Sequence, residues 1–91
     1  MTAHPERGAR FLLELEGGDD AEARYALTIF TPGAALRGRA RVSAESGEVE
    51  VDVAEAPEVL VGEARALAKT LVNPRRTEGR WKRRLMRWRE V

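Results

Sequence analysis

Ninety-one residues limit the chain to one domain, and the 43% hydrophobic and 34% charged content suits a folded domain rather than a disordered one. No apolar run approaches the ~20 residues that a membrane span requires, and the absence of cysteine removes disulfides and thiol chemistry. The net charge of +1 conceals a division: residues 1–74 carry 8 basic and 13 acidic side chains, and residues 75–91 carry 8 basic and 2 acidic, so a +6 tail follows a −5 body.

Residues 1–8 show no periodicity and read as a flexible leader. Arg7 and Arg10 precede only Phe11-Leu12-Leu13 before Glu14, too short a core for a signal peptide, so the protein is expected in the cytoplasm. His4 is the only histidine, and no metal-ligating set can be built around it.

The domain is expected over residues 9–74. From Arg10 to Glu16, Phe11, Leu13 and Leu15 share one face, as a half-buried strand requires. Gly17-Gly18-Asp19-Asp20 breaks this strand, and no Gly-Lys-Ser/Thr follows to make a phosphate loop. Asp19, Asp20 and Glu22 lack the spacing of a calcium loop and read as a solvated connection. A second strand, Arg24 to Thr31, sets Tyr25 beside Leu15, Leu27 beside Leu13 and Ile29 beside Phe11. Thr31-Pro32-Gly33-Ala34 fits a type II turn, and pairing across it sets Leu36, Gly38 and Ala40 beside Ile29, Leu27 and Tyr25.

The third and fourth strands alternate most clearly. Leu36, Gly38, Ala40, Val42 and Ala44 interleave with Arg37, Arg39, Arg41 and Ser43; Val49, Val51 and Val53 interleave with Glu48, Glu50 and Asp52. A tight hairpin at Ser46-Gly47 would set Val42 against Val51, Ala40 against Val53, and Arg41 against Asp52. A four-stranded antiparallel meander with one apolar face needs a cover. Pro57 to Val72 supplies it: Leu60, Val61, Ala64, Leu67, Ala68, Leu71 and Val72 fall on one helical arc, with Glu58, Arg65 and Lys69 opposite. Asn73-Pro74 is expected to stop this helix, and small Gly38 and Ala40 to let it approach the sheet.

Residues 75–91 read as a short basic C-terminal helix, capped by Thr77 and docked on the same domain. Trp81, Leu85 and Trp88 recur at i, i+4 and i+7, and both tryptophans of the chain lie here. The fold class is thus α+β, strands then helices in the order ββββαα.

Arg75, Arg76, Arg80, Trp81, Lys82, Arg83, Arg84, Arg87, Trp88 and Arg89 form the candidate binding set. The first expectation is a small non-catalytic interaction module whose partner is another protein or a second copy. The alternative is a nucleic-acid-binding module, with arginines on phosphates and indoles on bases. Insertion of the Trp-Leu-Trp edge at a membrane surface ranks last. No Ser-His-Asp set, cysteine nucleophile or metal cluster can be assembled, so neither catalysis nor a cofactor is expected. The paired carboxylates Glu14/Glu16 and Glu48/Glu50 lie on the charged sheet face, where nothing would raise one pKa for acid catalysis.

Overall fold

A computed structural model of the chain describes residues 4–90. It contains β1 (Ala9–Gly18), β2 (Glu22–Phe30), β3 (Ala35–Ser43), β4 (Val49–Val53), α1 (Glu58–Lys69), α2 (Val72–Glu78) and β5 (Arg84–Arg89). The strands form one antiparallel sheet in the order β4-β3-β2-β1-β5. The small α+β architecture is as expected; a fifth strand stands where a C-terminal helix was expected. Among the described residues no helix is long and apolar enough to cross a membrane.

Side-chain parity carries the core. Phe11, Leu13, Tyr25, Leu27, Ile29, Ala40 and Val42 point to one face and are buried, as is Val49. Pairs Leu15–Tyr25, Leu13–Leu27 and Phe11–Ile29 hold between β1 and β2, and Ile29–Leu36, Leu27–Gly38 and Tyr25–Ala40 between β2 and β3. Beyond Leu15 a bulge lets Gly17 oppose Arg24. Asp19 then shapes the turn into β2: its carboxylate accepts the N–H groups of Ala21 at 2.8 Å and Glu22 at 2.9 Å. Those donors, that of Glu22 foremost, hold the Asp19 carboxyl below its ordinary value.

Three local expectations are corrected. Gly33 does not take a left-handed φ, so the 31–34 connection is not a type II turn; the Thr31 N–H donates to the Ala34 carbonyl at 2.9 Å instead. The β3–β4 connection is not a two-residue turn but the four residues 44–47. The Ser43 N–H donates to Glu48 at 2.9 Å, and Gly47 closes the loop at φ 75°. Register therefore slides by two residues, to Val42–Val49, Ala40–Val51, Gly38–Val53 and Arg41–Glu50. Parity survives because the slip is even. Gly38 is small for β4 rather than for the helix: a Cβ there would come within 2.7 Å of Val53 Cγ2 and would meet the Asp52 carbonyl.

Pro57 stands extended just before α1, where its carbonyl accepts the N–H groups of Leu60 at 3.0 Å and Val61 at 3.1 Å, and Leu60, Ala64, Leu67 and Ala68 bury against the sheet. Asn73-Pro74 does not end the helical region. Pro74 sits in the first turn of α2, where its missing N–H leaves no intrahelical bond unmade. The chain thus bends at Thr70-Leu71 and continues to a left-handed Gly79. Thr77 does not cap a new helix; its hydroxyl donates to the Asn73 carbonyl at 2.9 Å inside α2.

The C-terminal stretch is an edge strand. β5 pairs with β1 in the register Leu13–Leu85, Phe11–Arg87 and Ala9–Arg89. Leu85 is buried on the helix-covered face, while Met86 lies opposite Leu12 on the other. Leu12 is itself buried although it points away from the core. The helical Trp81-Leu85-Trp88 spacing lost because β1 offers an edge whose backbone groups need partners, and pairing there buries Leu85 and sets Met86 against Leu12.

Of the leader, residues 4–8 fall among the described residues. His4 Nδ1 lies 2.8 Å from the Thr31 carbonyl, its ring meets Phe30 edge-on, and Pro5 is buried. Residues 1–3 and 91, which the expected leader and tail include, lie outside them.

Candidate functional site

Nine of the ten candidate residues divide into two groups, and Trp81 touches both. Arg75, Arg76 and Arg89 are engaged within the domain. Arg75 has a side chain only 15% exposed; it reaches Asp20 at 3.2 Å and lies 6.0 Å from the centre of the Trp81 ring. Arg76 donates to the carbonyls of Ala44 at 2.8 Å and Glu45 at 3.2 Å, tying α2 to the β3–β4 loop. Arg89 approaches Glu63 of α1 at 3.8 Å. Arg87 donates to the neighbouring Met86 carbonyl at 2.7 Å. Trp88 is 40% exposed, and its indole N–H donates to the Arg7 carbonyl at 2.9 Å.

Arg80, Lys82, Arg83 and Arg84 form the second group. Together with Leu15, Glu78 and Trp81 they line a concavity of about 500 Å³. Among the described residues none of these four cations closes an ion pair. Arg84 opposes Glu14 in the β1–β5 register without reaching it, and Glu78 is the one carboxylate on the rim.

Backbone hydrogen bonds hold this wall in place. The Leu15 N–H donates to the Arg83 carbonyl at 2.8 Å, extending the β1–β5 ladder past its last pair. The buried Tyr25 hydroxyl donates to the Lys82 carbonyl at 2.6 Å. Burial pushes the Tyr25 hydroxyl up to about 12. The Trp81 indole N–H donates to the Asp19 carbonyl at 2.8 Å, and its ring packs on the core while still lining the concavity. The carbonyls of Lys82 and Arg83 and the indole of Trp81 are thus each held by a hydrogen bond, and the four cationic side chains are left to the solvent.

Leu15, Tyr25 and Asp19 take part in this wall, and the sequence pointed to none of them as such. Their roles arise from contacts 57 to 68 residues apart in the chain, which no local pattern marks. The shallow, mixed-charge outer sheet face is a different surface. There Arg41 pairs with Glu50, and Arg39 lies 3.7 Å from Glu16. Among the described residues no cluster of histidine and acidic side chains has the makings of a metal site.

No protein-family model matches the chain, and comparison with the curated proteins and with the solved structures finds none similar to it.

Proposed function

We propose that this protein is a non-catalytic binding module that holds the phosphate backbone of a nucleic acid at the concavity formed by residues 78–84. One observation carries the proposal: four cations within five consecutive residues line a single concavity, and none of them closes an ion pair with a carboxylate of the described residues. Like charges gathered in a recess raise the local potential and favour an anionic ligand. A polyanion adds the entropy of the counterions it releases. Arginine forks match phosphate oxygens two at a time.

The test is the salt dependence of binding to a fluorescent oligonucleotide. Four phosphate contacts with a single strand give a log–log slope of about −3. Changing Arg83 and Arg84 together to Ala lowers the steepness by about 1 to 2 and weakens binding on every sequence alike. A flat salt response removes the proposal. Equal displacement by polyglutamate replaces it with an acidic protein partner.

A further inference from the structure

Resting on that reading, we infer that the ligand is a single strand, with one base unstacked against the indole of Trp81 and its flanking phosphates on Arg80, Lys82, Arg83 and Arg84. Reading a duplex requires a protruding element with free cations, a helix or a two-stranded ribbon sized to the major groove. Neither helix nor the β3–β4 ribbon supplies one. The buried side of α1 is spent on the sheet, and its exposed side mixes Glu58 with Arg65 and Lys69. The α2 arginines are committed, Arg75 to Asp20 and Arg76 to two loop carbonyls. The β3–β4 ribbon carries Glu48, Glu50 and Asp52, and Glu50 already holds Arg41.

The concavity itself has the opposite character. At about 500 Å³ it falls among sites that enclose small molecules, a size suited to one nucleotide rather than to a rigid double helix. A single strand can bend its backbone so that successive phosphates reach cations set around one concavity. Its bases are also free to stack on an aromatic ring, which is how single strands are held without sequence preference. Trp81 is prepared for that task. Its indole N–H is fixed on the Asp19 carbonyl, and Arg75, anchored on Asp20, stands 6.0 Å from the ring centre. A ring already ordered loses little freedom when a base arrives.

The experiment uses the full chain with Trp88→Phe, which leaves Trp81 as its single indole. Oligo-dT and oligo-dA are titrated at about 50 mM salt, where phosphate contacts are strong, beside a duplex of the same two strands. The expected result is quenching of Trp81 emission by both single strands, with the duplex binding at least about tenfold more weakly. Duplex binding as tight as single-strand binding overturns the inference and leaves the phosphate reading standing. Single-strand binding with unchanged Trp81 emission also overturns it, since the ring is then not in contact. Failure of every oligonucleotide to bind removes the phosphate reading and the inference with it. Trp81→Leu should weaken single-strand binding about tenfold while leaving the salt slope unchanged, with circular dichroism confirming that the variant is folded.

Discussion

The hydroxyl of Tyr25 donates a 2.6 Å hydrogen bond to the carbonyl of Lys82, joining the buried centre of β2 to the backbone beneath the basic concavity. Tyr25→Phe removes this bond and leaves the carbonyl to water, at a cost of about 1 kcal/mol in urea unfolding. The bond also has a pH signature. Burial raises the folded-state pKa to about 12, above the ordinary 10.0, so the contribution is complete below about pH 10 and is lost as pH rises toward 12. Wild type should lose stability relative to Tyr25→Phe across that window. A constant difference from pH 9 to 12 would show that the hydroxyl is not buried in the folded protein.

Leu67 is 4% exposed at the centre of the α1 face that covers the sheet. Leu67→Ala should cost about 2–5 kcal/mol, enough to unfold a domain this small. Loss of less than about 0.5 kcal/mol would be incompatible with a helix packed on β3 and β4.

Arg76 and Arg83 look alike in sequence and differ in place. Arg76 holds two loop carbonyls, whereas the Arg83 side chain has no partner among the described residues. Arg76→Ala should therefore lower stability by about 0.5–1 kcal/mol, a value discounted for its exposure. Arg83→Ala should change it by less than about 0.5 kcal/mol and instead weaken oligonucleotide binding. Urea midpoints of the two variants separate the roles, and identical midpoints would contradict this division.

Proline scanning distinguishes an edge strand from a helix at residues 84–89. The Leu15–Arg83 bond sets the alternation, so Leu85 and Arg87 turn their backbone groups to β1 while Met86 turns its own outward. Arg87→Pro removes a ladder bond and should destabilise strongly. Met86→Pro removes none and should cost much less. Equal damage from both would speak for a helix, in which either proline breaks the hydrogen-bond pattern.

Most of the sheet was legible in the sequence because parity is a strong constraint. An odd slip of Phe11, Leu13 and Leu15 against Tyr25, Leu27 and Ile29 would turn apolar side chains to water, and the 17–21 connection selects among the even ones. The β3–β4 register was less legible. An even slip keeps every valine inward, and the choice rested on the loop between Ser43 and Glu48, where Ser46 side-chain bonding and a left-handed Gly47 favour four residues over two.

β5 was misread for a different reason. Trp81-Leu85-Trp88 satisfies a helical period, whereas Arg84-to-Arg89 mixes apolar and charged side chains on both faces of a strand, so local pattern favours the helix. The deciding partner lies some 70 residues away at β1, and the one trace of it was Leu12, an apolar side chain on the face expected to be charged. In the candidate site the cationic character was legible and its division was not. Nothing local distinguishes Arg75 and Arg76, held by Asp20 and the loop carbonyls, from Arg80 and Arg83, which are not held.

Pairing of Ala9 with Arg89, and an Arg7–Glu90 approach of 3.7 Å, bring the two ends of the described chain to one corner of the sheet. Glu14 and Arg84 mark the other end of the same strand pair, five residues or roughly 17 Å away. Residues 7–9 and 89–90 therefore lie at the end of the strand pair opposite the concavity. An attachment made through residues 7–9 or 89–90 leaves the basic wall facing outward. Linking the chain across this corner, where Ala9 and Arg89 are paired, and opening it at the exposed Pro32-Gly33 would give a circular permutant that keeps every strand pair and loses only the covalent link between β2 and β3.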